Sequence, residues 1–133
     1  MAASLASCGG KTKGELVTPS GGVFTIDTAD IKKGDVRFFR REAGGKTVVF
    51  MVARDDFGEI KTAFDACITC YPHKQGYRHE DGSVVCIFCG NTFRIDSLDK
   101  GIGNCMPIKI EHRMDGSRLI LRQEDIDSGA KWF

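Results

Sequence analysis

The chain has 133 residues, 28% of them charged, with 19 Lys and Arg against 18 Asp and Glu. A formal charge of +1 excludes the strong electrostatic pull of a nucleic-acid binder, and no apolar run approaches the roughly 20 residues that a helix needs to cross a bilayer. The length suits one domain with its own core, and 16 glycines among short apolar runs point to strands and turns.

The first residues include Leu5-Ala6-Ser7-Cys8, which resembles a bacterial lipobox, in which the cysteine is lipidated and becomes the mature N-terminus. A Gly, Lys and Thr stretch follows, as a tether would require. Only seven residues precede Cys8, without a basic or a full apolar region, so lipidation goes with a reading frame that extends upstream. The alternative is a tail carrying one stray thiol. Residues 1–15 are therefore expected to be a flexible tail or lipoprotein tether, and residues 16–133 a single metal-binding β domain.

Val23-Phe24-Thr25-Ile26 reads as a short strand, and Val36-Arg37-Phe38-Phe39-Arg40-Arg41 as another, closed by the hairpin tip Ala43-Gly44-Gly45-Lys46. Residues 47–53 are continuously apolar and β-branched, which predicts a central strand buried on both faces. Arg37, Arg40 and Arg41 suit an anion or acidic partner, or simply the solvated side of an outer strand. Residues 60–66 lead a strand into Cys67. Tyr77-Arg78-His79 and Val84-Val85-Cys86 flank an Asp81-Gly82 turn, and Thr92-Phe93-Arg94-Ile95-Asp96 alternates as a strand. Ile108, Ile110 and Met114 rise to Asp115-Gly116, and Leu119 and Leu121 return, which predicts a terminal hairpin. Residues 124–129 are expected as a short closing helix, with Trp132 and Phe133 packing back on the body.

The densest chemistry lies between Cys67 and Cys105. Cys67-Ile-Thr-Cys70 and Cys86-Ile-Phe-Cys89-Gly90 form two C-x2-C pairs separated by fifteen residues. Each pair can turn two thiolates towards one point, and four convergent sulfurs about 2.3 Å from a cation make a tetrahedral site for zinc or iron. Disulfides or redox-active thiols are the alternative, though a bridge within either pair closes a very small loop. Haem attachment is excluded, because Tyr71 and Gly90 stand where C-x-x-C-H needs histidine. Gly90 permits a positive φ that would aim backbone N–H groups at sulfur, and Tyr71-Pro72 predicts a less regular first turn. Cys105 suits a further ligand, a cover over the site or a small buried hydrophobe. Among the histidines His73, His79 and His112, His73 is best placed as an additional ligand or cover, three residues beyond Cys70.

Ala63-Phe64-Asp65-Ala66-Cys67-Ile68-Thr69-Cys70, Lys74-Gln75-Gly76-Tyr77, Val85-Cys86-Ile87-Phe88-Cys89-Gly90-Asn91-Thr92-Phe93 and Gly103-Asn104-Cys105-Met106-Pro107-Ile108 together resemble the FtrD-like family. These are membrane-associated iron–sulfur proteins, several encoded beside iron-uptake permeases. The likeness covers about residues 20–122. It departs at Tyr71-Pro72, at Asn104 where a second glycine is usual, and in lacking spanning helices. A looser resemblance in layout is to Rieske domains, in which two loops each give one cysteine and one histidine to a [2Fe–2S] cluster. Here both histidine places would be cysteines.

These resemblances imply an all-β fold, a compact antiparallel sandwich or barrel-like domain with two cysteine knuckle loops forming a metal site at one end. They imply an extracytoplasmic iron or iron–sulfur electron-transfer protein associated with iron uptake, attached through a lipid on Cys8 or secreted, with a redox partner or membrane iron permease. A binding module with a structural zinc, and a thiol–disulfide or metal-delivery protein, stay open beside it. No paired acid and base, phosphate loop or nucleophile with a placed histidine suggests a substrate-transforming enzyme.

Overall fold

The computed structural model describes residues 13–98 and 106–133. Cys8 and Cys105, and with them the lipidation and sulfur-cover expectations, lie outside the described residues. The described chain is mostly β. In order the strands are β1 (Glu15–Leu16), β2 (Val23–Asp27), β3 (Val36–Ala43), β4 (Lys46–Arg54), β5 (Ile60–Cys67), β6 (Tyr77–Glu80), β7 (Ser83–Cys86), β8 (Thr92–Arg94), β9 (Pro107–Lys109), β10 (Arg113–Asp115) and β11 (Arg118–Arg122). The short helix α1 (Gln123–Asp127) follows and runs into the 3-10 turn Ser128–Trp132.

Three sheets result, ordered β1-β3-β4-β5-β9, β10-β11-β2 and β6-β7-β8. Side-chain alternation along β4 and β5 places the first sheet between the other two. Val48, Phe50 and Val52 of β4, with Ile60, Phe64 and Ala66 of β5, join Phe24 and Ile26 of β2, Leu119 and Leu121 of β11, and Ile126 of α1 in one core. The opposite face, Met51, Ala53, Ala63 and Cys67, packs with Tyr77, Val84, Cys86, Phe93 and Ile95 in a second. A strand covered on both sides must be apolar at every position, which accounts for the unbroken run in β4.

The terminal hairpin differs from expectation. Met114 pairs with Leu119 as the pattern requires, but Ile108 pairs with Phe64 of β5. The Ile110 N–H donates to the Thr62 carbonyl at 3.1 Å, so the rising arm changes sheets after Ile110. That crossing covers the open edge of β5 and buries Ile110, while Met114 stays exposed. The strand expected through Asp96 ends at Arg94, where a 3-10 turn (Ile95–Ser97) tucks Ile95 and Leu98 into the second core.

The first described residues are fastened to the body. β1 runs parallel to β3, pairing Glu15 with Phe39 and Leu16 with Arg40. Arg40 donates to the Gly14 carbonyl, and a side chain at Gly14 would meet the Phe38 and Phe39 backbone at 3.0 Å. The other arginines of β3 are held by acids of the same chain: Arg41 by Asp127 through two bonds of 2.9 and 3.1 Å, and Arg37 by Asp30 at 3.0 Å.

The chain end closes the first core. Phe133 packs against Phe64 with ring centroids 6.3 Å apart, and Trp132 meets Tyr71 edge-on at 4.9 Å. A Cβ at Gly129 would lie 2.2 Å from the Phe64 ring, which is itself buried. Gly129→Ala is therefore expected to cost about 1–3 kcal/mol by overpacking, measured as a lowered midpoint of chemical denaturation.

Candidate metal centre

Each cysteine pair begins at the end of a strand and finishes in a turn. Cys67 is the last residue of β5 and Cys86 the last of β7. In the second pair the Cys86 N–H donates to the Asn91 carbonyl and the Gly90 N–H returns to the Cys86 carbonyl, both at 2.8 Å. Gly90 adopts φ +80°, where a side chain is disfavoured. Its N–H closes the turn on a carbonyl, a different partner from the sulfur that the sequence suggested.

The first pair follows another route. Cys70 leads directly into a 3-10 turn (Tyr71–His73) with Pro72 inside it, and the His73 N–H donates to the Cys70 carbonyl at 3.0 Å. Lys74, at φ 56°, ends the turn in the left-handed region without a glycine.

Two backbone bonds and one from backbone to a carboxylate fix the loops against their surroundings. The Ile87 N–H donates to the Gly76 carbonyl at 2.9 Å, and the Ile68 N–H donates to the Met106 carbonyl at 3.0 Å. The Tyr77 N–H donates to Asp65 Oδ1 at 2.8 Å. The second cysteine turn is thereby tied to the loop that follows the first, and the β6–β7 hairpin to the strand that carries Cys67.

The Sγ atoms of Cys67, Cys70 and Cys86 lie within 4.8 Å of one another, and all four cysteines are thiols. Cys89 contacts Cys70 through its side chain. Cys67 and Cys86 are buried, Cys70 is half-buried and Cys89 is exposed. Burial pushes the Cys70 thiol up to about 12, assisted by hydrogen bonds with Cys67, Cys89 and Cys86 and by the charge of Cys67. Sulfurs so crowded cannot all ionise without a cation among them. Tetrahedral coordination at 2.3 Å spaces sulfurs about 3.8 Å apart, so these side chains need to close by roughly 1 Å or less to hold one ion. The donor set is all sulfur, which suits zinc, mononuclear iron or an iron–sulfur cluster.

Among the described residues, the close-packed group contains no histidine nitrogen. The His73 ring is stacked on Phe88, centroids 3.6 Å apart and planes at 8°, so it links the two turns. His79 Nε2 meets the Gly34 carbonyl at 2.8 Å. The Thr62 hydroxyl donates to the Ile110 carbonyl at 2.7 Å, so it accepts from His112 Nδ1 at 2.8 Å. Desolvation lowers the His112 pKa and favours the neutral ring.

Sequence reasoning missed Asp65. Burial pushes its carboxyl up to about 6, against the opposing pull of Lys13 and of the Tyr77 N–H. The available signal was one charge in the apolar stretch Ala63-Phe64-Asp65-Ala66-Cys67. Ile87 and Phe88, between the cysteines of the second pair, are exposed and form an uncharged rim beside Cys89.

The profile of the family described as "Membrane iron-sulfur containing protein FtrD-like" matches residues 31–133. No curated protein sequence matches the chain. Among solved structures, the quaternary ammonium Rieske monooxygenase CntA in complex with an inhibitor is similar over 85% of this chain and 32% of its own, at 9% identity and a TM-score of 0.49. A second quaternary ammonium Rieske monooxygenase structure, reported with insights into carnitine oxidation by gut microbiota, covers the same shares at 10% identity and a TM-score of 0.49. The chain spans about a third of the length of these enzymes, and no residue role passes from them to it.

Burial orders the cysteines in the metal-free protein. Cys86→Ser puts a hydroxyl into the second core and is expected to cost about 1–3 kcal/mol, whereas Cys89→Ser on the exposed turn should change stability by less than about 0.5 kcal/mol. Chemical denaturation in the presence of a chelator and a reductant measures both.

Proposed function

Because the chain belongs to the FtrD-like family, we propose that it is an extracytoplasmic electron-transfer protein whose Cys67, Cys70, Cys86 and Cys89 hold iron, in a cluster or as a single ion, in support of iron uptake. The convergence of Cys67, Cys70 and Cys86 sulfurs within 4.8 Å carries this reading. Bound iron would supply a one-electron couple. The chain's own part is to hold two sulfurs in the core and present the other two outward. Cys89, with Ile87 and Phe88 around it, offers the exposed edge at which a redox partner or a membrane iron permease could exchange electrons with the centre. The uncharged rim favours a partner that docks by apolar contact, with little sensitivity to salt.

A structural zinc is the second reading, and one observation favours it. Cys67 and Cys86 pack inside the second core, so an ion between them would staple two sheets together. Metal and sulfide analysis of protein purified without oxygen, followed by voltammetry, separates the two. The expected result is a coloured iron protein with a reversible wave. Four thiolates carry more negative charge than a Rieske pair of cysteines and imidazoles and so stabilise the oxidised form. A cluster should therefore titrate near roughly −400 mV, below the Rieske range of about −150 to +300 mV. Serine at any of the four cysteines should lower bound metal. A colourless protein with one zinc and no wave overturns the electron-transfer reading.

Attachment through a lipid on Cys8 belongs to the same proposal. Among the described residues no helix is long and apolar enough to cross a membrane. Mass spectrometry of protein extracted from native membranes is expected to find lipid on Cys8. Recovery of soluble, unmodified chain that retains Met1 overturns the anchor.

A further inference from the structure

We propose that Asp65, fastened by Lys13, is the residue that positions the two cysteine turns and sets the charge beside the centre. Asp65 lies between Ala63 and Cys67 on the face of β5 that meets the second core, with its side chain only 6% exposed. Oδ1 accepts the Tyr77 N–H at 2.8 Å, and Oδ2 accepts Lys13 Nζ at 2.8 Å. Tyr77 stands opposite Cys86 in the β6–β7 ladder, and its neighbour Gly76 holds the Ile87 N–H. One carboxylate on the Cys67 strand thus grips the hairpin that carries Cys86.

Gly76 shows how closely the grip is built. At φ +71°, a Cβ there would lie 2.5 Å from Asp65 Oδ2, so the carboxylate occupies the space that a side chain would need. Lys13 completes the clasp. Its ammonium also donates to the Tyr77 carbonyl and sits 4.2 Å over the Phe38 ring. A negative group buried beside thiolates would favour the oxidised form of a bound metal, and the Lys13 charge offsets it.

The inference rests on the cysteines binding metal, and its test does not require that metal to be iron. Cadmium titration of the reduced, metal-free chain, followed by the thiolate charge-transfer band, reports the geometry of the turns. Asp65→Ala leaves the Tyr77 N–H without its acceptor and is expected to weaken cadmium binding about 10–100-fold. Asp65→Asn keeps an oxygen for that N–H and should stay within a few-fold of the original. Lys13→Gln acts on a partly exposed side chain, does not threaten the fold, and should weaken binding several-fold. On the iron-loaded protein, Asp65→Asn should raise the reduction potential and Lys13→Gln should lower it by a smaller amount. A purely structural role would not give shifts of opposite sign.

Unchanged cadmium affinity in both Asp65→Ala and Lys13→Gln overturns the clasp. If Asp65→Ala does not fold, Lys13→Gln alone decides. Potentials that move in the same direction overturn the charge role. An original chain that binds cadmium on its thiols but shows no redox wave with iron overturns the electron-transfer reading, and the cadmium series then decides the clasp by itself.

Discussion

Sulfur crowding is the constraint on which the rest of the molecule depends. Three Sγ atoms lie within 4.8 Å of one another, with Cys89 against one of them, and burial, assisted by hydrogen bonds among these cysteines, pushes the Cys70 thiol up. As thiolates the set would repel itself unless a cation lay among them, so the polypeptide has to hold the sulfurs together while that charge develops. It does so with backbone, reinforced by the Asp65 carboxylate on the Tyr77 N–H. Cys67 and Cys86 end strands whose other residues are already committed to a ladder, and the turns beyond them close on carbonyls rather than on side chains. The site is therefore shaped by the sheets, and the donors need only small rotations about their side-chain bonds to meet an ion.

The restraint reaches further through β5. Its alternating faces serve both cores, so the strand that delivers Cys67 is also the one that presents Phe64 to Phe133 and to the closing turn. Tyr71, the first residue beyond Cys70, meets Trp132 of the same closing segment. The first cysteine turn is consequently packed from behind by the chain end. The second projects Ile87 and Phe88 into solvent, with the His73 ring lying on Phe88 as the one side-chain stack described between the turns. That asymmetry gives the cysteine cluster a packed side and an exposed side.

Much of this arrangement was legible in the sequence, because its signals are local. The C-x2-C spacing pointed to Cys67, Cys70 and Cys86, whose sulfurs the fold brings within 4.8 Å, Gly44-Gly45 and Asp81-Gly82 marked two hairpins, and the unbroken run in β4 announced a strand covered twice. The remainder depended on distant pairing. Nothing between Ile108 and Met114 indicates that the stretch serves two sheets, since either pairing satisfies the same alternation. Asp65 reads as a stray charge until Lys13, 52 residues earlier, and Tyr77, 12 residues later, are brought to it. His73 sits at a plausible ligand spacing from Cys70, and only the fold reveals that its ring is engaged by Phe88.

The fastening of Lys13 also bears on how an anchored form would behave. Of residues 1–15, read from the lipobox and the stretch after it as a tail or tether, the described Lys13 is held by Asp65 and Tyr77, and Gly14 by Arg40; Lys13 stands five residues beyond Cys8. Fully extended, five residues reach about 18 Å. A lipid on Cys8 would then hold Lys13 within that distance of the bilayer surface. The clasp joins Lys13 to the base of the cysteine turns, so the centre would be confined to the membrane boundary with it. A carrier confined in this way is suited to exchange electrons with a partner embedded in the same membrane, and poorly suited to reach one that diffuses freely. The leash that would anchor the chain and the residue that positions its turns are, on this geometry, parts of one device.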